Sequence, residues 1–543
     1  MKYIYRCLVY LYLALSVALA AALLCLGFPE FLSFVLQVLG MDVRQEVIVS
    51  FHSRIPVLLI YFILVLNICI AILAVYKQMY FQNKIERAFF YCKQAFINLF
   101  RSFTFPEIVV VIAVPLLASL YFAATVPVSY DEAVTYNYFT VKPFYFSMIF
   151  YPYPNNHVLH SLLTNISECI PFLPPLFSIR VPAIIASIFT WLIGYSFLKK
   201  YYPLQVALLV VGAMSAMYMS VYYSFMSRGY SFTVLSFVVC MYAAFNIITQ
   251  GSRNKDWMFF ATAGVLGCYS IPSFLYPFVT LNVLILIYNY KNIKQQFVSN
   301  IIAGGLVVLL YSPIMIVDGI AALTSNQFVQ PIERLFIVKN IFFFCRAMIA
   351  SIVGVPLGVV ALMAIPLLYT IYRKDKKLLL LWCVFMLAPF VLLLIHAVNP
   401  FYRTFIYYNF IIAFLMIVPF KELLDRVPKY AVLLVVVCLQ TAGVYSFNDK
   451  IGVDEGFNTD AAKVADTYFK QGKRICFPCI ASENYKFEAK VRGLEDQIDF
   501  QENEKADVDT IGGYDYIILE KRRDQTVHKK PYATSDAQNI YSR

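Results

Sequence analysis

Apolar runs of about twenty residues follow one another from the N-terminus to residue 447, most of them separated by short polar loops. A run of that length with little interior charge matches the hydrocarbon thickness of a bilayer when it is coiled as a helix. Thirteen are predicted, at 7–27, 55–76, 107–126, 178–198, 203–223, 230–249, 257–273, 274–290, 298–316, 349–371, 378–396, 404–420 and 430–447. No polar loop separates 257–273 from 274–290, and Pro272 and Ser273 are expected to make that turn. The first run also has the outline of a signal peptide, with Lys2 and Arg6 ahead of an apolar stretch. Its apolar character continues to Leu39, too far for a signal peptide, so a retained anchor is expected.

After residue 447 the pattern changes. A helical stretch near 459–471, an apolar strand at 474–480, a second helix near 482–493 and a strand at 514–519 alternate as in a small α/β domain. Residues 524–543 read as a disordered end. No Gly-rich phosphate loop follows either strand, which argues against nucleotide binding there. The expected fold class is an all-α polytopic membrane protein of about 13 transmembrane helices with a small C-terminal α/β extramembrane domain. Its regions are 1–106, with two extra spans and a basic loop; 107–447, the main transmembrane domain with a loop at 127–177; and 448–543, the small domain and tail.

Composition sharpens this picture. Of 543 residues 61% are apolar and only 14% charged, against about 25% in soluble domains. A soluble enzyme, a disordered chain and a collagen-like repeat are excluded. The net charge of +12 suggests nucleic-acid binding until it is divided. Residues 1–447 hold 29 Lys and Arg against 14 Asp and Glu, whereas 448–543 hold 15 against 18. The excess therefore sits mainly in short loops, where it orients helices, and no basic groove motif points to nucleic acid. With the N-terminus in the cytoplasm, loops on that side carry 20 basic residues, and the opposite short loops carry nine. The cytoplasmic clusters are Lys77–Arg101, Lys199–Lys200, Arg373–Lys377 and Lys421–Lys429. The expected loops at 127–177, 317–348 and 397–403, and the tail, are then external. Cysteines such as Cys7, Cys25, Cys69, Cys240, Cys383 and Cys438 stand alone in apolar runs, as small hydrophobes do. Only Cys476 and Cys479 form a close pair, open to a thiol, disulfide or metal reading.

Candidate chemistry concentrates in the 127–177 loop, which opens Val-Ser-Tyr130-Asp131-Glu132. A carboxylate at the membrane rim suits a general base for an acceptor hydroxyl, and its neighbour suits orienting it or binding a metal. The plainer reading is an acidic cap on a short helix. Further on, Asn155-Asn156-His157-Val-Leu-His160 places two of the five histidines on one helical face, as pocket-lining polar groups or a weak metal pair. Arg180, Arg228 and Arg403 all fall on the external side, against the positive-inside bias. Arginine binds phosphate through a planar fork; the plainer alternative is snorkelling to lipid phosphates.

The order of these motifs resembles the GT-C superfamily of integral-membrane glycosyltransferases, in the branch of the protein O-mannosyltransferases and lipid A aminoarabinose transferases. The likeness covers roughly residues 107–425: the Asp131-Glu132 pair after a span, the segment Pro154 to His160, Arg180-Val-Pro-Ala, Ser227-Arg228-Gly-Tyr230 and Pro400-Phe-Tyr-Arg403. The resemblance implies an enzyme that moves a sugar from a polyprenyl-phosphate donor to a glycan, lipid or protein acceptor on the external face. It implies that Asp131 activates the acceptor and that Glu132 supports it or helps hold the donor or a divalent metal ion. Arg228 and Arg403, with Tyr230, would hold the lipid phosphate, while Tyr130, Asn156, His157, His160 and Arg180 line the pocket. Departures are Asn155-Asn156-His157 where relatives often carry His-Pro-Pro, and two spans ahead of the usual first one. The short loops favour a bacterial inner membrane, with the C-terminal domain periplasmic. Other classes stay open on the residues. A transporter or lipid-sugar flippase predicts ionisable residues near mid-span, which most spans here lack. A non-catalytic scaffold predicts tolerance of neutral changes at Asp131 and Arg228. A glycan polymerase or ligase with a diphosphate-linked donor shares the rim of cations.

Overall fold

The computed structural model describes residues 2–27, 30–31, 33–34, 37, 57–101, 103–151, 154–319, 321–324, 331–398, 400–477, 483–501, 512–520, 531–535 and 538–542. They form two compact units, 1–102 with 312–324, and 103–311 with 325–543.

In the first unit, helices Lys2–Leu26 and Val57–Tyr76 pair, joined by a hydrogen bond from Tyr12 Oη to Asn67 Oδ1 at 2.6 Å. Lys77 then turns the chain into helix Gln78–Arg101, bent 77° from the preceding span.

The second unit is a helical bundle with a small sheet domain. Across both units, eight helices among the described residues are long and apolar enough to cross a bilayer, or up to ten if each bent pair counts as one span. This is a multi-pass membrane fold, and the thirteen continuous spans expected from the sequence are not all present as such. Predicted run 203–223 is broken by 71° between Leu204–Ala216 and Tyr218–Phe225. Run 257–273 is a 17-residue helix, Asn254–Ser270, ended by a 3-10 turn at Pro272–Phe274. Helical structure continues from there to Met315. Gln296 and Asn300 nevertheless hydrogen-bond to Asn282 at 2.8–3.0 Å, whereas 18 residues of straight helix would separate them by about 27 Å. The chain therefore doubles back near Tyr290–Asn292, which makes two antiparallel helices of predicted runs 274–290 and 298–316.

Three expectations need correction. Run 349–371 is not one helix: it breaks at Gly354, with φ of +81°, and Pro356. The second part of the expected loop at 317–348, from residue 334 on, is instead the start of helix Arg334–Val353. Arg334, Lys339 and Arg346 dilute its apolar pattern, although long basic side chains can run their stems along a helix and carry the charge to the interface. Run 404–420 contains only a ten-residue helix, Tyr408–Ile417, between 3-10 turns. It is buried at Tyr408, Phe410, Ile411, Phe414 and Leu415, an interior helix rather than a lipid-facing one.

Tight packing ties the bundle to its last span, Lys429–Asp454. A Cβ on Gly443 would lie 2.3 Å from the carbonyl oxygen of Ala216, and one on Gly212 would lie 2.3 Å from Val436. Small residues here let two backbones approach, the usual basis of helix association in lipid. At one end of the bundle, buried Glu107 accepts from both Lys199 and Lys429 at 2.9 Å and from the backbone N–H of Thr104 at 3.1 Å. Three span ends are pinned by one carboxylate.

The last span leads into helix Gly456–Tyr468 and a five-stranded sheet of order β2-β1-β3-β5-β4. Its strands are β1 Ile475–Phe477, β2 Ile498–Phe500, β3 Tyr516–Glu520, β4 Ala533–Thr534 and β5 Gln538–Ser542. The first three run parallel, and β5 runs antiparallel to β3. The end that reads as disordered from sequence thus carries two strands. Ile540 and Tyr541 are buried, and β5 covers the edge of β3 that would otherwise stand open. Cys476 lies buried in β1, and Cys479 lies outside the described residues.

Candidate functional site

The site is built at the end of the bundle opposite Glu107. Span Phe105–Thr125 ends there, and after an extended link Ser129 opens the short helix Tyr130–Thr135. Ser129 is the N-cap: its hydroxyl accepts from the Glu132 N–H at 3.3 Å, and Glu132 Oε2 accepts from the Ser129 N–H at 3.0 Å. This is a reciprocal capping box, so the cap is the serine rather than an acidic residue.

Glu132 has no exposed surface. Its Oε1 accepts from Arg180 Nε at 2.9 Å and from the Ser227 N–H at 2.6 Å, and its Oε2 also accepts from Arg180 Nη2 at 2.7 Å. Arg180 is equally buried. Its remaining donors go to the carbonyls of Ala123, Val126 and Pro127 at 2.7–3.0 Å. All five guanidinium N–H groups are thereby matched. Such completeness is what a buried ion pair needs, because each desolvated ion otherwise costs several kcal/mol, roughly. The pair fastens three things together: the carbonyl end of one span, the start of the loop helix, and the Ser227 backbone.

Asp131 faces the other way, with about a third of its side chain exposed. Its Oδ2 lies 3.2 Å from Arg403 Nη1 and 3.6 Å from Arg228 Nη2. Burial alone raises its carboxyl pKa, but Arg228 and Arg403 overcome this and hold it below the ordinary value. One carboxylate between two guanidiniums leaves an excess positive charge at the rim, a setting that attracts an anion.

Arg228 is almost fully buried. Its Nη1 reaches the Asp131 carbonyl, Thr135 Oγ1 and the Asn155 carbonyl, each at 3.3 Å, and also bonds Asn155 Oδ1. Asn155 in turn donates to the Asp131 carbonyl at 3.0 Å. The Arg403 guanidinium stacks over Phe401, 4.7 Å from the ring centroid, and faces Tyr223 and Tyr230.

His157 forms one wall. Its Nδ1 accepts from the Gly229 N–H at 2.8 Å, so the ring proton sits on Nε2. Burial, then Arg228, His160 and Arg403, push its pKa well below the ordinary histidine value, and the ring is neutral. Gly229 is required for this fit, since a Cβ there would lie 2.8 Å from that of His157. Tyr230 packs edge-on against His157, with ring centroids 5.0 Å apart. His160 is fully buried against Phe232; neither ring nitrogen has a partner among the described residues, and burial with Arg228 lowers its pKa to about 3.

Of the residues singled out in the sequence, Asp131, Arg228, Arg403, Tyr230 and His157 come together, and Tyr130 sits exposed beside them. Glu132 and Arg180 lie behind as a closed pair. Asn156 turns into its own loop, donating to the carbonyls of Ser147 and Phe150 at 2.8 and 3.0 Å and accepting from Ser161 at 2.9 Å. Asn155, its neighbour, is the residue the sequence reading missed. Only Ser-x-x-Glu at 129–132 carried a legible signal for the cap.

The C-terminal domain seats on the same loop. Asn484 donates to the Val128 carbonyl at 2.8 Å, Asn137 donates to Glu483 Oε2 at 2.9 Å, and Phe487 packs against Tyr136.

Among the described residues no three His, Cys, Asp or Glu side chains gather as metal ligands. Glu132, the residue the resemblance offers to a divalent ion, does not fit the role, because both its oxygens are filled by protein donors.

The fold has a solved counterpart. The apo-state crystal structure of ArnT from Cupriavidus metallidurans superposes with a TM-score of 0.53 at 9% sequence identity, over 80% of this chain and 96% of that one. No family model and no curated protein sequence matches the chain. The chain therefore shares the fold of that ArnT structure.

Proposed function

We propose that the protein is a membrane glycosyltransferase that moves a sugar from a polyprenyl-phosphate carrier to a glycan, lipid or protein acceptor at the periplasmic face of a bacterial inner membrane. The observation that carries this reading is the partly exposed Asp131 carboxylate between Arg228 and Arg403, set in a GT-C-type fold. The donor phosphate competes for the two guanidiniums, whose forks suit paired phosphate oxygens. As the phosphate binds, Asp131 loses the cations that depress its pKa and becomes a better base. It then takes the proton of the acceptor as that group attacks the anomeric carbon. The bond from that carbon to the phosphate oxygen breaks, and polyprenyl phosphate leaves with its growing charge on Arg228 and Arg403. Transfer by one such displacement inverts the anomeric centre. Glu132 and Arg180 act as positioning residues, while His157 and Tyr230 supply a neutral wall.

The test is release of polyprenyl phosphate from a panel of polyprenyl-phosphate sugars, with Asp131→Asn as the paired control. Release that disappears in the variant supports the reading and identifies the sugar. Equal release in both proteins removes Asp131 as the base. Absence of release in both, with folded protein and an acceptor-rich membrane extract, moves the assignment to a diphosphate-linked donor or to transport.

A further inference from the structure

Helix Gln78–Arg101 is unlike the spans around it. It follows a span after a single turn residue, Lys77, and leaves it at 77°. If the span stands near the bilayer normal, the helix lies close to the bilayer plane. It is long enough to cross, at about 36 Å, but it carries Lys84, Arg87, Lys93 and Arg101 against one acid, Glu86.

Its sequence divides by face. Ile85, Phe89, Cys92, Phe96 and Phe100 recur at steps of three and four, so they form one stripe. All five are exposed. Asn83, Lys84, Arg87, Gln94, Asn98 and Arg101 occupy the opposite face, with Lys93 and Glu86 at the border. An apolar aromatic stripe opposite a basic polar face is the composition of a helix that lies in the interface.

We infer that Gln78–Arg101 is an interfacial anchor whose occupant is an anionic lipid leaflet. The stripe enters the acyl layer, Lys93 engages headgroup phosphates at its margin, and Lys84 and Arg87 draw the anionic surface from the polar face. The charge excess selects anionic over zwitterionic lipid, and the 77° departure from the span sets the orientation. The basic cluster read from sequence as an orienting loop is thus a lipid-binding element in its own right.

The full-length protein in nanodiscs tests this. Tryptophans are introduced singly at Phe96 and Gln94, close in sequence and on opposite faces, and each is compared with the parent protein. The added emission of Phe96→Trp should be quenched by brominated acyl chains, and that of Gln94→Trp by aqueous acrylamide. Acyl-chain quenching of both means that the helix crosses the bilayer, and aqueous quenching of both means that it stands clear; either result overturns the inference. Separately, the triple variant K84Q/R87Q/K93Q should retain at least threefold less phosphatidylglycerol through purification than the parent. Equal retention overturns the anionic selectivity.

Discussion

Asp131 has a third of its side chain exposed and two arginines beside it, whereas Glu132 has no exposed surface and is closed by protein donors. The two substitutions should therefore fail differently. Asp131→Asn should remove turnover while leaving thermal stability nearly intact. Glu132→Ala leaves Arg180 charged, buried and unpaired, and should cost about 3–5 kcal/mol, read as a lost or strongly lowered unfolding transition in detergent. The pH profile is fixed by the depressed Asp131 carboxyl. Its ionised form is present above its pKa and lost as pH falls through it, so the acid limb of kcat/KM should lie below about 3.9, the ordinary aspartate value. Bound phosphate offsets the arginines, so the limb of kcat should lie higher than that of kcat/KM. Gly229→Ala forces His157 away from a neighbour that has no room to give. It should cost about 1–3 kcal/mol and raise the donor KM, measured by melting and steady-state kinetics. The acid pair and the two arginines were legible in the sequence because charge at a membrane rim is conspicuous. Their division of labour was not, because neither the distance of Glu132 from Arg180 nor the exposure of Asp131 is written in local pattern. Asn155 was passed over for the same reason: Asn155 and Asn156 are alike in sequence, and only the fold decides which one meets Arg228.

At the level of elements, the spans with unbroken apolar character were readable from the sequence: Tyr230–Thr249 to the residue, and Pro175–Tyr201 to within three residues at each end. Where sequence and structure part, a breaker or a dilution is responsible. Gly354 and Pro356 end a helix that hydropathy alone would continue, and three basic residues disguise its first part. Strand β5 was missed because five residues without a clean alternation are too few to stand out without the partner strand they cover. The same tertiary dependence holds where the small domain meets the loop. Asn484, 356 positions from Val128, satisfies its carbonyl just ahead of the helix that carries Asp131. Asn484→Ala should cost about 1–3 kcal/mol through the unsatisfied groups it leaves, seen as faster amide exchange across 128–138 with the transmembrane helices unchanged.

For the molecule as a whole, the contacts of the C-terminal domain with Val128, Tyr136 and Asn137 place that domain and the 127–177 loop at one end of the bundle. The cluster of Glu107, Lys199 and Lys429 lies at the other. Reporter fusions in 130–170 and after 543 should therefore share one side of the membrane, and fusions near 200 and 428 should share the opposite one. The basic loops set the expectation that the Lys199 and Lys429 end faces the cytoplasm, and these fusions test it.

The bond between Glu132 and Arg180 also has a history in time. The ribosome delivers Glu132 forty-eight residues before Arg180, which at elongation rates of about 5–20 residues per second is roughly 2–10 s. Through that interval the carboxylate waits at the membrane without its cation, and the carbonyls at the end of the preceding span lack the donors that will cap them. A nascent chain arrested before residue 180 should thus be a substrate for membrane proteases, and one arrested well after it should resist them. The arginine acts as a latch that the newborn protein closes only when the bundle's second span, Pro175–Tyr201, arrives.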